Sequence, residues 1–155
     1  MTLRTALLLT GVLVGSVQAV AAPSDNRVRV SVFSQDIGSL DPDYAVGSQD
    51  RIAASWLFSA LVRFKPGTTD PAQIEPDLAE GWEASPDKLT WTFHLRHGVQ
   101  FPGGFGELTA DDVLFSLHKA ADPKTSAFAA DFAPFNSVEA VDPYTVRIVL
   151  KQPVP

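Results

Sequence analysis

Cysteine is absent from the 155 residues, and 12 lysines and arginines stand against 18 aspartates and glutamates. Without cysteine the chain forms no disulfide, no thiolate nucleophile and no zinc–thiolate site, and it offers no cysteine for lipid attachment. The formal net charge of −6 disfavours nucleic acid as a partner, because phosphates carry charge of the same sign. The composition therefore excludes thiol enzymes and zinc–thiolate proteins and argues against nucleic-acid binding.

The sequence also lacks an apolar run long enough to span a bilayer. The apolar run at residues 6–17 follows a short positive start that includes Arg4, and it precedes the small-x-small sequence A-V-A at residues 19–21. This arrangement is typical of a secretory signal. We predict that residues 1–21 are a signal peptide that is cleaved on export, and that the mature protein is soluble in the periplasm.

The first part of the mature chain carries signals for a strand, a loop and a helix. Residues 27–33 alternate polar and apolar side chains, as in a half-buried strand. Residues 34–50 are rich in glycine, proline, aspartate and serine, which predicts a loop. From about Gln49 to Ala60 apolar residues recur at helical spacing, and Asp50 suits the positive end of the helix dipole.

The next stretch predicts short elements and a hairpin. Residues 61–64 have the composition of a short strand, and residues 78–82 suggest a helical turn. Residues 82–85 and 89–96 flank a P-D-K turn, in which Pro86 presets the backbone angle. We therefore predict two paired antiparallel strands, with the apolar side chains of the second strand directed to a core.

A second helix is predicted after residue 108. Thr109 and Asp112 have capping-box spacing, and Pro123 ends the apolar periodicity. Residues 144–150 then alternate as a further strand. Strands interspersed with helices predict a mixed α/β fold. The predicted buried stripe of the helix consists of Val113, Leu114, Leu117 and either Ala120 or Ala121.

No catalytic or metal-binding constellation follows from the remaining polar residues. His94 and His97 have the H-x-x-H spacing of a chelate, but residues three apart on a strand point to opposite faces. Asp111 and Asp112 are neighbours in a first helical turn and do not face each other, so a capping and dipole role explains them. His118 near the helix end is interpreted as structural. We predict no metal and no cofactor.

The sequence also lacks the common motifs of phosphate-binding sites and of hydrolytic enzymes. The glycine-rich sequence at residues 102–106 matches neither common phosphate-binding pattern, and no nucleophile elbow or serine–histidine–aspartate context occurs. We therefore predict that the protein is not an enzyme. The loop at residues 34–49 is a better candidate for function, because open α/β sheets hold ligands in loops that leave the ends of core strands.

Several motifs together resemble a known family. The sequences "LDP", "LFSALVRFKPG", "EPDLAEGWEASPDKLTWTFHLRHGVQF", "ELTADDVLFSL" and "VEAVDPYTVRIVLKQPVP" follow one another in the order typical of extracytoplasmic solute-binding proteins of ABC importers. More narrowly, they resemble the peptide/nickel family, which binds dipeptides, oligopeptides, nickel complexes and related solutes. The resemblance runs from about Arg27 to Pro155. One departure is "PGGFGE", which stands where family members often have His-Asp-Gly.

The resemblance implies a fold and a mode of action. It implies part of lobe I of a two-lobed, type II-like periplasmic-binding-protein fold that closes around its ligand by a hinge motion. Because the family's chains are several-fold longer, it implies that residues 22–155 are the N-terminal part of the solute-binding domain. The first strand and ligand loop would occupy residues 27–49, and a hairpin subdomain would occupy about residues 61–155.

The resemblance also implies binding residues and partners. In peptide-binding members the backbone just after the first strand pairs with the extended ligand. The implied partners are a small solute, in particular a short peptide, and ABC permease subunits in the inner membrane. The full-length protein is expected to be a monomer. Carried onto this sequence, the ligand-contacting residues are Ser34, Gln35 and Asp36, with a second rim at Gly47, Ser48 and Gln49.

Two other hypotheses remain open at this point. The chain is alternatively a small periplasmic interaction or structural module, in which half of a cleft exposes apolar surface for a partner. A secreted hydrolase is the third hypothesis, and it has the least support because no catalytic constellation is recognised.

Overall fold

The computed structural model describes residues 36–154, so the strand predicted at residues 27–33 lies outside the described residues. The described part combines two helices with antiparallel strands, which confirms the predicted mixed α/β fold. The helices are α1 (Ser48–Leu57) and α2 (Ala110–Ala121); the strands are β1 (Val62–Phe64), β2 (Ile74–Pro76), β3 (Ala79–Ala84), β4 (Thr90–Leu95), β5 (Phe135–Asp142) and β6 (Thr145–Leu150).

A four-stranded antiparallel sheet in the order β3-β4-β6-β5 organises the core, and β1 pairs with β2 in a separate two-stranded sheet. Alternate residues of a strand share one face. One face of β4 and one face of β6 pack against α2, and the core-facing direction predicted for the apolar residues of β4 is confirmed. The buried cluster consists of Leu95, Ala110, Val113, Val146 and Ile148.

The hairpin between β3 and β4 forms around the predicted P-D-K turn. The Lys88 N–H donates to the Ser85 carbonyl at 2.8 Å, and Lys88 has a left-handed φ of 57°. The Asp87 carboxylate accepts hydrogen bonds from the Ser85 hydroxyl at 2.5 Å and from the Leu89 N–H at 3.0 Å. These two bonds lower the pKa of Asp87, the hydroxyl having the larger effect.

One local prediction is wrong, because residues 78–82 do not form a helical turn. They belong largely to β3, in which Ala79 is opposite Leu95 and Trp82 is opposite Phe93. The Leu78 carbonyl also accepts a hydrogen bond from the Arg96 N–H at 2.9 Å. The helical spacing of a few apolar residues is therefore a weaker determinant here than the hydrogen bonds that β3 forms with β4 on both sides of the register shift between Ala79 and Gly81.

The helix predicted to reach Ala60 ends at Leu57 instead. Phe58 is already extended, with φ −120° and ψ 142°. The Ala60 N–H donates to the Asp77 carboxylate at 3.0 Å, and the Ala60 carbonyl accepts from the Leu78 N–H at 2.9 Å. The chain leaves the helix early because its backbone groups are bonded to the segment before β3. The strand predicted next, at residues 61–64, is confirmed as β1.

The second helix has the predicted capping box. The Asp112 carboxylate accepts from the Thr109 N–H at 2.8 Å and from the Thr109 hydroxyl at 3.0 Å. Val113 and Ala120 are buried, Leu114 and Leu117 pack half-buried against the core, and Ala121 is exposed. The predicted stripe is therefore confirmed, with Ala120 as its last buried member.

Replacement of Asp112 by alanine should lower the free energy of unfolding by about 1 kcal/mol, the usual cost of a lost helix cap. Asp111 gives the matched control, since it carries the same charge in the same first turn and is exposed. Asp111→Ala should cost less than about 0.5 kcal/mol, because it loses only a screened interaction with the helix dipole. Urea unfolding of both variants checks this; equal costs would contradict a specific role of the Asp112 hydrogen bonds.

Candidate functional site

The predicted ligand loop enters α1 directly. Gly47 is the N-cap of the helix, and Ser48 and Gln49 lie in its first turn, so the second predicted rim is one continuous surface. Asp36 is exposed at the other end of the loop. Ser34 and Gln35 lie outside the described residues.

A single carboxylate brings the two ends of this loop together. Asp50 is buried, with 5% of its surface exposed, and its Oδ1 accepts from the Gly38 N–H at 2.8 Å. A Cβ at Gly47 would lie 3.0 Å from Oδ2 of Asp50. The residues that follow Asp36 therefore lie beside the start of α1. The sequence indicated Asp50 only as a favourable charge near the helix N-terminus, and its closure of the loop was not predicted.

The middle of the loop is a 3₁₀ turn, Pro42–Tyr44, capped by Asp41. Oδ1 of Asp41 accepts from the Asp43 N–H at 3.0 Å. Both carboxylates also bond Lys119 in the last turn of α2: its Nζ lies 2.9 Å from each oxygen of Asp41 and 2.5 Å from Oδ2 of Asp43. We call Asp41, Asp43 and Lys119 the loop clamp.

The pKa values of the loop clamp follow from these contacts. The hydrogen bond from Lys119 is the largest cause that lowers the pKa of Asp41, followed by the N–H of Asp43. The carboxylates of Asp43 and Asp41, in that order, raise the pKa of Lys119. The lowered pKa of Asp41 contributes stability at pH values above the ordinary carboxyl pKa, and this contribution is lost as the pH falls through the lowered pKa. The raised pKa of Lys119 contributes stability at pH values below the ordinary lysine pKa, and this contribution is lost as the pH rises through the raised pKa. The clamp is therefore intact across neutral pH.

Two further contacts attach the same loop to the chain after α2. The Tyr44 hydroxyl donates to the Lys124 carbonyl at 3.2 Å, and the Ala127 N–H donates to the Asp43 carbonyl at 2.9 Å. Together with the loop clamp, these contacts fix the shape of the loop from the side of α2.

An apolar groove lies apart from this loop. Its volume is about 800 Å³, and none of the described residues predicted to contact ligand lines it. Its wall includes the segment between α1 and β1, and two of the apolar side chains that line it, Leu57 and Phe58, are more than half exposed. Groove and loop are thus two separate surfaces of the described chain.

The histidine pair does not converge. Nε2 of His94 lies 3.5 Å from Oε1 of Glu83 on the neighbouring strand, whereas the ring of His97 packs 3.8 Å from that of Tyr144. The His118 side chain lies in the last turn of α2. Among residues 36–154, no group of three or more histidine or carboxylate side chains is placed to hold a metal ion. The same range contains no helix with the length and apolar character needed to cross a membrane.

His97 belongs instead to a cluster that fastens the glycine-rich connection. Oε1 of Glu107 accepts from the Gly98 N–H at 2.6 Å and from the Tyr144 hydroxyl at 2.9 Å. The Gly98 N–H is the larger of these two causes that lower the pKa of Glu107, and Glu107 in turn raises the pKa of Tyr144. The unusual "PGGFGE" sequence therefore forms a closed turn held to the start of β6.

The sequence of this chain is similar to those of known binding proteins. The family model described as bacterial extracellular solute-binding proteins, family 5, middle region, matches residues 73–155. Di/tripeptide-binding protein 4 of Pseudomonas aeruginosa is 41% identical over an alignment 118 positions long, which covers 65% of this chain and 22% of that relative. The chain therefore spans about a fifth of the length of this curated relative.

Solved structures agree with the family match. The binding protein MoaA from Agrobacterium tumefaciens R10, in complex with mannopinic acid, is 54% identical with a TM-score of 0.74 over 77% of this chain and 24% of that chain. The binding protein DppA of Helicobacter pylori, in complex with the peptide STSA, is 36% identical with a TM-score of 0.65 over 76% of this chain and 26% of that chain. The likeness confirms the predicted part of a two-lobed periplasmic-binding-protein fold.

Proposed function

Because the chain belongs to family 5 of the bacterial extracellular solute-binding proteins, we propose that it captures a small solute in the periplasm for an ABC importer. It delivers this solute to permease subunits in the inner membrane and makes or breaks no bond. The observation that carries the proposal is the family match over residues 73–155. The contact between Gly38 and Asp50, which brings together the two ends of the proposed ligand loop, supports it. Residues 1–21 act as the export signal, and the full-length protein works as a monomer.

The proposed mode of capture is closure of two lobes around the solute. Closure is driven by ligand only if contacts from both lobes are made in the closed form. On this side of the cleft the contacts come from Ser34, Gln35 and Asp36 and from the rim Gly47–Ser48–Gln49. An extended peptide pairs there with main-chain groups, a mode that tolerates varied side chains.

Two solute classes have specific support. A short peptide is the leading candidate, because the curated relative is named a di/tripeptide-binding protein and the DppA structure holds a peptide. Mannopinic acid is the second candidate, because the structure that contains it has the higher sequence identity, 54% against 36%. A single scaffold serves many ligands, so identity alone does not choose between them.

Calorimetric titration of the complete protein with trialanine, dialanine and mannopinic acid tests the proposal. We expect saturable binding of one of these probes and none of free alanine. For a peptide held through the backbone, Asp36→Pro should weaken binding tenfold or more, because proline removes an N–H donor and a tenfold change corresponds to about 1.4 kcal/mol. Asp36→Ala keeps that N–H and should change affinity less than about threefold.

The outcomes discriminate between the hypotheses. Absence of binding by all three probes would contradict the proposed transport role. The apolar groove, with Leu57 and Phe58 exposed in its wall, would then favour the rival role of an interaction module, since clustered exposed apolar side chains are typical of protein contact sites. Equal effects of the two Asp36 variants would contradict main-chain pairing at this position. A hydrolase has no support at the family level, because the relatives are named as binding proteins.

A further inference from the structure

The loop clamp joins two parts of the chain that are far apart in sequence. Lys119 and Asp41 are separated by 78 positions, yet the Lys119 ammonium bonds both oxygens of Asp41 and one oxygen of Asp43. An ammonium group has three N–H donors. The three contacts therefore match the hydrogen-bonding capacity of Lys119.

The clamp is partly shielded from water. The side chains of Lys119 and Asp43 are 31% and 16% exposed, so solvent screens their interaction less than that of a surface ion pair. Without the ammonium, two carboxylates two residues apart would repel each other in the same turn. Loss of the cation thus removes an attraction and leaves a repulsion that favours opening of the turn.

The side of the clamp that belongs to α2 is rigidly held. The helix is fixed to the sheet by buried Val113 and Ala120, and the hydroxyl of Thr125 donates to the Lys119 carbonyl at 2.8 Å. The loop, in contrast, is exposed at most of its positions, with Ala45 as its one buried residue among residues 36–47. The helix therefore acts as a fixed support, and the clamp adds side-chain contacts from α2 to the backbone bonds of Lys124 and Ala127 that hold the loop from the same side.

We propose that Lys119 is a positioning residue for solute binding: it holds the ligand loop in its receptive shape from outside the solute-contacting rim. This inference rests on the proposed function. Its physical basis is preorganisation, because a loop already ordered before binding saves the free energy of ordering it. When only a fraction of molecules has the receptive loop, the apparent affinity falls by that fraction.

The test compares Lys119→Met with a matched control, Lys124→Met, in the complete protein. Methionine keeps the length of the side chain and removes the charge. The side chain of Lys124 is exposed five positions further on and makes no hydrogen bond or ion pair within residues 36–154, while its backbone carbonyl is unaffected by the substitution. Trialanine, dialanine and mannopinic acid serve as probes, and amide hydrogen exchange reports on residues 38–47.

We expect Lys119→Met to speed hydrogen exchange of the loop amides and to return the pKa of Asp41 toward its ordinary value. Binding of the recognised probe should weaken about tenfold, as it would if one molecule in ten had the receptive loop shape. Lys124→Met should alter none of these. Lys119→Arg should restore most of the affinity, since a guanidinium also bonds two carboxylates. Asp43→Asn, which is nearly isosteric, is a second substitution that should also speed loop exchange and weaken binding, with little risk to folding.

The possible failures are separable. If wild-type protein binds none of trialanine, dialanine and mannopinic acid, the proposed function is overturned and the inference with it. If wild-type protein binds but Lys119→Met leaves loop exchange unchanged, the clamp does not order the loop. If exchange rises while affinity stays equal to that of Lys124→Met, the loop is ordered by the clamp without a role in binding, and the positioning role is overturned while the proposed function stands.

Discussion

Replacement of Leu95 by alanine should lower the free energy of unfolding by about 3 kcal/mol, within the range of about 2–5 kcal/mol found for buried leucines. Leu95 is 1% exposed at the end of β4, and it contacts residues of α2 and β6 in the buried cluster. Truncation leaves a cavity between elements that are already paired: the Leu95 N–H donates to the Tyr144 carbonyl at 2.7 Å, and Ala79 lies opposite it in the sheet. The backbone is therefore poorly able to collapse into the space.

The matched control is Leu57→Ala. Leu57 is 61% exposed at the end of α1, and leucine and alanine are both good helix formers. This change should cost less than about 0.5 kcal/mol. Urea unfolding should give a lower midpoint for Leu95→Ala with an unchanged slope, because the surface exposed on unfolding is nearly the same. A cost below about 1 kcal/mol for Leu95→Ala would contradict the position of the core between β4, β6 and α2.

The elements that the sequence predicts well carry their signals locally. The β3–β4 hairpin depends on apolar alternation and on a turn whose bonds join residues five or fewer positions apart. The capping box of α2 joins Thr109 to Asp112 within one turn. Such short-range patterns can be recognised in the sequence without knowledge of the fold, because the interacting groups are near one another in the chain.

The elements that the sequence does not predict depend on distant partners. β3 begins at Ala79 because β4 offers it a ladder of hydrogen bonds, and α1 ends early because Ala60 is bonded to the segment before β3. Among the strands of residues 36–154, β5 pairs with β6 alone, and its polar and apolar residues do not alternate clearly. Strand propensity depends on such context more than helix propensity does.

The candidate site shows the same division. Composition marks residues 34–49 as a loop, and resemblance to a family suggests which of its residues contact ligand. The loop clamp could not be predicted from the sequence, because Lys119 is 78 positions from Asp41. The bond between Gly38 and the buried carboxylate of Asp50 could not be predicted either, because these residues are 12 positions apart. The contacts that give this loop its shape are long-range, so they become visible only in three dimensions.

Asp50→Ala should lower the free energy of unfolding by about 2 kcal/mol and weaken solute binding about tenfold. The stability loss combines a hydrogen bond to a charged group, worth about 1.5–3 kcal/mol, with a favourable helix-dipole interaction of about 0.3–1 kcal/mol, partly offset by the removal of a buried charge. The affinity loss has a separate cause: without the bond from Gly38 to Asp50, the two ends of the ligand loop lose the contact that holds them side by side.

Asp50→Asn separates the charge of this residue from its role as a hydrogen-bond acceptor. The amide oxygen of asparagine still accepts from the Gly38 N–H, whereas the net charge near the helix start is gone. We therefore expect Asp50→Asn to retain most of the affinity and to lose only about 0.5–1 kcal/mol of stability. Thermal or urea unfolding together with titration of the recognised probe measures both quantities in each variant. Equal loss of affinity in the alanine and asparagine variants would show that charge, and not loop closure, is what Asp50 contributes; an alanine variant with native affinity would show that the two ends of the loop need not meet for the solute to bind.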